Sequence, residues 1–317
     1  MGYHLRMDEE IVFEAPSAAE YAVRTYGLTK VYGGAERVSD VSLGVRRGEV
    51  YGLVGKNGAG KTTLIRLVLG LASPTRGEVE IAGQRTPSAL AAARSRVGAL
   101  IEQPAFYGKL DAEQNLTAYS LALGHSDRAR NRELLKFVGL EDAGDKKVKN
   151  FSLGMKQRLS LAMALVGAPE ILILDEPVNG LDPTGILQVR EQIRRLNSDH
   201  GVTVIISSHF LGELGKVATA YGVMKEGKLV TELRGEELAA LARPKIKAVT
   251  PDPEKALIVL RETFAPGEFA ISGGVIEIYR PAEELGRVTM AFAGAGVPLI
   301  SVTADEGDRE AALVALM

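Results

Sequence analysis

Val50-Tyr51-Gly52-Leu53-Val54-Gly55-Lys56-Asn57-Gly58-Ala59-Gly60-Lys61-Thr62-Thr63-Leu64 is the segment on which the architecture turns. Glu49–Val54 reads as an apolar strand, and Leu64, Ile65, Leu67, Val68 and Leu71 recur at helical spacing over 61–71. Between them, residues 55–62 satisfy G-x-x-x-x-G-K-[ST] in the order strand, glycine loop, helix. Glycines at 55, 58 and 60 let successive backbone N–H groups and the positive end of the helix converge on an anion. Lys61 then supplies a point charge to β- and γ-phosphates, and the Thr62 hydroxyl suits a magnesium ion, a hard cation that accepts few protein oxygens. Gly55, Lys56, Asn57, Gly58, Ala59, Gly60, Lys61, Thr62 and Thr63 are the expected phosphate-binding set.

Composition narrows the setting. The 317 residues are 46% hydrophobic and 25% charged, ordinary for a globular chain of about two domains. The formal net charge of -2 offers no excess positive field for a polyanion, so no nucleic-acid partner is expected. The absence of cysteine excludes disulfides, thiolate zinc sites and thiol catalysis. No run approaches the roughly 18 to 20 apolar residues that cross a bilayer, and Asp8, Glu9, Glu10 and Glu14 stand where a secretory signal needs an apolar core. The expectation is a cytoplasmic protein whose membrane role, if it has one, runs through a partner chain.

Residues 1–20 show no periodicity and read as a tail. A first domain is expected over 21–235, with strands at Tyr21–Tyr26, Val38–Val45, Ile171–Leu174 and Val202–Ile206, and a helical, more polar insert at about 104–150. The continuous apolar strands suit a parallel sheet covered on both faces. Beyond Arg243-Pro244, strands at Ile246–Thr250, Phe269–Ile271, Val275–Tyr279 and Pro298–Val302 alternate with helices near 253–264 and 283–293. That β-α-β-β-α-β order predicts a small α/β domain of the ferredoxin-like, split βαβ type over 244–317.

Ile171-Leu172-Ile173-Leu174-Asp175-Glu176-Pro177 places two acids at a strand end, where ligands gather in open α/β sheets. Adjacent strand side chains point opposite ways. Asp175 is therefore expected at the magnesium shell, and Glu176, at or just beyond the strand end, is expected to face the γ-phosphate and to orient or deprotonate an attacking water.

The remaining motifs choose among nucleotide hydrolases. Phe151-Ser152-Leu153-Gly154-Met155-Lys156-Gln157-Arg158 resembles the signature sequence of ATP-binding cassette (ABC) ATPases, usually L-S-G-G-Q-x-Q-R, with Leu153 and Met155 departing from it. Tyr32 matches the aromatic that stacks on adenine, Gln103 the loop glutamine that touches magnesium or its water, Asn179–Pro183 with Asp182 the loop that crosses the dimer interface, and His209 the histidine at the γ-phosphate. The resemblance covers about 21–235. It implies a P-loop NTPase core with a RecA-like sheet, a helical subdomain and an antiparallel β subdomain, and it implies ATP and Mg2+ as ligands. It further implies a second copy whose Ser152 and Gly154 meet the first copy's γ-phosphate, and separate transmembrane permease subunits at the inner face of the membrane. Ala99–Tyr107 and Ile206–Leu211 look most like drug, bacitracin and lantibiotic exporter ATPases. The alternative is a regulatory ABC ATPase acting on ribosomes or DNA.

Overall fold

Buried strands of continuous apolar residues organise the chain. In the computed structural model, which describes residues 20–101, 105–209, 212 and 216–317, the apolar run before the glycine loop is a strand with every residue buried. The chain falls into two compact units, the first ending at Arg234 and the second spanning Gly235–Leu316. The helix Gly235–Leu241 thus opens the second unit, ahead of the expected start at 244. Of the expected tail, all but Glu20 lies outside the described residues.

In chain order the first unit contains β1 (Tyr21–Tyr32), β2 (Ala35–Val41), β3 (Gly44–Arg46), β4 (Val50–Val54), α1 (Lys61–Val68), β5 (Arg76–Ile81), α2 (Pro87–Arg94), β6 (Val97–Leu100), α3 (Ala112–Ala122) and α4 (Arg128–Phe137). It continues with α5 (Leu153–Ala164), β7 (Ile171–Asp175), α6 (Pro183–Ser198), β8 (Thr203–Ser208), β9 (Ala220–Lys225) and β10 (Lys228–Arg234). One sheet has the order β10-β9-β4-β8-β7-β6, with β9, β4, β8, β7 and β6 parallel and β10 antiparallel at the edge. In a second, antiparallel sheet, β1 pairs with β2, β3 and β5. Val23 and Val45 of this sheet share a core with Leu53, Leu64, Ile65, Ile173 and Ile205. Each such side chain contributes about 2 kcal/mol by leaving water.

The expected strand Val38–Val45 is two strands. β1 pairs with β2 along its second half and with β3 along its first, so the partner must step across between them. Thr25 fills the step: its hydroxyl donates to the Val41 carbonyl at 2.9 Å and accepts from the Leu43 N–H at 3.1 Å. The helical layer also runs past 150, because α5 packs on both α3 and α4. Asp111 and Gln114 close a reciprocal cap at the start of α3.

The second unit runs helix Gly235–Leu241, β11 (Lys245–Val249), helix Pro253–Thr263, β12 (Phe269–Ser272), β13 (Val275–Ile278), helix Leu285–Gly294, β14 (Ser301–Asp305), helix Arg309–Leu316. Its four-stranded antiparallel sheet has the order β12-β13-β11-β14. Ile246, Ala248, Ile276 and Ile278 face Leu260, Val288 and Phe292 of the helices in its core. The last strand begins at Ser301 and not Pro298, because the Thr250 hydroxyl holds the Pro298 carbonyl at 2.7 Å in the preceding loop. Among the described residues no helix is long and apolar enough to cross a membrane.

Two polar contacts, each with one buried member, tie strands of the first unit together. Tyr51 is buried, and its hydroxyl donates to Glu232 at 2.7 Å. Burial, then the Glu232 carboxylate, push that hydroxyl well above the usual phenol range. The ring passes so close to β9 that a Cβ on Gly222 would stand 2.1 Å from the Tyr51 oxygen, a space only glycine leaves. At the amino end of β7, the buried Glu170 carboxylate takes Arg47 at 3.0 Å and Arg96 at 2.6 Å. Removing it leaves two guanidinium groups without their shared counter-charge. Glu170→Ala is expected to cost about 2 kcal/mol or more in chemical denaturation, a loss limited by the solvent that reaches Arg96. Nucleotide affinity should stay within about twofold, since Glu170 stands at the amino end of β7 and the glycine loop follows the carboxyl end of the parallel β4.

Candidate active site

Strand register assembles the site. Val54 pairs with Ser208 and Asp175 with Ser207, so β4, β8 and β7 finish side by side at one edge of the parallel sheet. Beyond Val54 the chain turns through the glycine loop into α1. A Cβ on Gly55 would meet the Met224 carbonyl at 2.5 Å, and one on Gly60, at φ 102°, would meet the Arg37 carbonyl at 2.5 Å. The loop is therefore wedged between other parts of its own chain, and those two glycines are required before any ligand is considered.

Lys61, the first residue of α1, is 6% exposed. Its ammonium donates to the Gly55 carbonyl at 2.7 Å and the Lys56 carbonyl at 3.4 Å, strapping the loop to the helix start. The Ala59 N–H closes a turn on the Lys56 carbonyl at 3.1 Å. Lys56, Asn57 and Gly58 are exposed at the crown, while Thr62 and Thr63 are half-buried on the first turn. An exposed, glycine-rich crown beside a buried cation at a helix start suits a polyphosphate.

The two acids have different partners, although only Asp175 lies on the strand. Asp175, the last residue of β7, accepts from the Ser207 hydroxyl through one carboxylate oxygen. Glu176 leaves the sheet at φ 50°, a left-handed conformation that costs a non-glycine residue about 1 kcal/mol. Its N–H is held by the Ser207 carbonyl at 3.2 Å and the Ser207 hydroxyl at 3.0 Å. Its carboxylate spans two partners, with Oε1 3.4 Å from the Lys61 ammonium and Oε2 2.7 Å from His209 Nδ1. The His209 N–H approaches the same oxygen at 3.4 Å.

Lys61, Asp175, Glu176 and His209 thus come together, and Ser207 joins them without having been singled out in the sequence. Its one signal there is a pair of hydroxyl residues following the apolar run 202–206. Tyr32 ends β1 with its ring 46% exposed; the Lys30 ammonium stands 4.7 Å from the ring centroid and donates to the Ser73 carbonyl at 2.6 Å. Ser152 caps α5 by accepting from the Met155 N–H at 3.2 Å.

Gly154 faces Leu181, and a Cβ on Gly180 would strike Leu153 at 2.7 Å, so the signature segment and the loop Asn179–Pro183 lie against each other. Asp182 accepts from the Gly185 N–H at 3.1 Å as the cap of α6. The same loop reaches the Lys61 cluster through its first residue, since the Asn179 N–H donates to the Glu176 carbonyl at 3.1 Å. Gln103 lies outside the described residues.

The chain has relatives among known proteins. Residues 38–179 match the family model described as ABC transporter. The bacitracin transport ATP-binding protein BcrA of Bacillus licheniformis is 36% identical over 296 residues, 93% of this chain and 97% of that one. The lantibiotic transport ATP-binding protein SrtF of Streptococcus pyogenes is 40% identical over 210 residues, 66% of this chain and 90% of that one. Among solved structures, a dimeric ATP-binding cassette in a post-hydrolysis state bound to ADP and Pi superposes with a TM-score of 0.62 at 25% identity, covering 67% of this chain and 98% of its own. With its wedged glycine loop, its acids at the strand ends and a relative matched over nearly its whole length, the chain belongs to the ATP-binding, ATP-hydrolysing subunits of ABC transporters.

Proposed function

We propose that this subunit drives export of a peptide antibiotic or similar compound through separate membrane-spanning permease subunits, using closure of two copies around ATP. The observation that carries the catalytic part is the chain of contacts from Lys61 through Glu176 to His209 at the ends of β4, β7 and β8. The names of the bacitracin and lantibiotic relatives support the class of cargo.

In this reading the crown 55–60 and the first turn of α1 bind the phosphates, and Lys61 carries the positive charge against the β- and γ-groups. Tyr32, backed by Lys30, stacks on adenine. Glu176 orients a water and takes its proton as the water oxygen bonds to the γ-phosphorus and the bond to the bridging oxygen breaks, giving ADP and phosphate. His209 holds the Glu176 carboxylate and reaches the γ-phosphate. The oxygen donors of Thr62 and Asp175 suit magnesium, which when bound would neutralise developing charge on the phosphate oxygens; Gln103 is assigned to the same ion by resemblance alone.

Ser152 and Gly154 serve the partner copy's nucleotide, and Asp182 with its neighbours lines the seam between copies. A ligand shifts an equilibrium only by its differential affinity for the two states, so the γ-phosphate contacts across the seam must favour closure and their loss on hydrolysis must reopen it. The helical layer built from α3, α4 and α5 is the part we assign to the permease, at the cytoplasmic face of the membrane. The second unit's β-α-β-β-α-β order and its strand order β12-β13-β11-β14 support a ferredoxin-like domain.

Glu176→Gln is expected to lower kcat for ATP about 100-fold or more and to accumulate an ATP-bound dimer on size exclusion. Monomer at saturating ATP, with hydrolysis unchanged, would overturn the assignment of Glu176. Lys61→Ala should weaken nucleotide binding about tenfold or more and abolish that dimer, read by fluorescent-nucleotide titration. Tyr32→Ala should weaken ATP about tenfold while leaving inorganic triphosphate within about twofold, because only the base meets the ring. For cargo, the Glu176→Gln variant replacing the native chain in cells should raise sensitivity to a peptide antibiotic; unchanged sensitivity across bacitracin and lantibiotic peptides counts against export of this class.

A further inference from the structure

We infer that Ser207 is a positioning residue for hydrolysis, fixing both the rotation of the Asp175 carboxylate and the backbone of Glu176. The inference rests on the reading of Asp175 as a holder of the metal's shell and Glu176 as the base.

Ser207 is wholly buried on β8, between β4 and β7. A hydroxyl in that position must spend its proton and a lone pair inside the protein. The proton goes to Oδ1 of Asp175, and a lone pair accepts the Glu176 N–H at 3.0 Å. The β7–β8 ladder pairs Asp175 with Ser207 and ends there. Glu176, the next residue, has left the sheet in a left-handed conformation, and Ser207 is where β8 still grips its N–H. One oxygen atom therefore ties two adjacent carboxylate residues that the reaction asks to do different things.

The consequences are specific. With Oδ1 committed to Ser207, the free lone pairs of Asp175 are concentrated on Oδ2, so the carboxylate presents one oxygen to a cation rather than a symmetric pair. With its N–H held, Glu176 keeps the backbone from which its side chain reaches both Lys61 and His209. Alanine at 207 retains the backbone carbonyl contact to Glu176 but frees the Asp175 carboxylate to rotate. Threonine keeps the hydroxyl.

The test compares Ser207→Ala, Ser207→Thr and Asp175→Asn in the full chain by ATP turnover, by thermal melting, and by fluorescent-ATP binding titrated with magnesium and repeated in EDTA. Ser207→Ala is expected to lower kcat about tenfold or more with KM for ATP within about threefold, as misplacement of reacting groups does. It should raise the magnesium concentration for half-maximal nucleotide binding about fivefold or more, as loss of an outer-shell partner does, with binding in EDTA unchanged. Ser207→Thr should restore both to within about threefold.

Unchanged magnesium dependence and kcat in Ser207→Ala, while Asp175→Asn shifts both, overturns the inference and leaves the Asp175 reading intact. An unmoved magnesium midpoint in Asp175→Asn overturns that reading, and with it any action of Ser207 through Asp175. Losses in Ser207→Ala and Ser207→Thr that follow only a shared fall in melting temperature reduce Ser207 to a structural group and overturn the inference.

Discussion

The ammonium of Lys61 is the hinge of the first unit. It is almost fully buried, so it must be paired, and its partners come from two directions: the carbonyls of its own loop and the carboxylate of Glu176 from another strand. A charge placed there fixes the loop's curvature and, through Glu176, the position of His209. Local chain geometry and long-range strand order are thereby coupled at one nitrogen. The rest of the parallel sheet serves to bring the ends of β4, β7 and β8 to a common edge where such a contact is geometrically available.

A second layer of organisation lies where the loop after Glu176 meets the start of α5. The Lys61 cluster gathers at the ends of the parallel strands, and Leu153, Gly154, Gly180 and Leu181 form an apolar contact between the start of α5 and the loop before α6. Both Ser152 and Asp182 spend a side-chain oxygen on a helix cap, which makes these loops stiff. A cap consumes an acceptor and leaves the serine proton available, so structural and ligand-directed uses of Ser152 do not compete.

Much of this organisation is legible in the amino-acid sequence, for identifiable reasons. A strand, glycine loop and helix in succession carry their own geometry, and an apolar run ending in Asp175-Glu176 names the sheet edge at once. The split of Val38–Val45 is not legible, because it depends on which half of β1 each piece pairs with and on the hydroxyl of Thr25. The delayed start of β14 depends on a hydrogen bond across 48 residues of sequence. Ser207 is equally hidden, because a serine at a strand end carries no signal until the register shows what lies beside it.

Tyr51 and Gly222 illustrate a further consequence of this packing. The phenol occupies the volume where residue 222 has only hydrogen, and its proton is spent on Glu232 of the edge strand. Positions 51 and 222 are therefore coupled: a methyl at 222 becomes tolerable only after the aromatic at 51 has shrunk, and that shrinkage also removes the hydroxyl's hydrogen bond to Glu232, an exposed acid that still accepts the Gly44 N–H at 3.3 Å. Related chains should exchange residues 51 and 222 as a set, which makes their joint identity a marker of how the edge of the parallel sheet has been built.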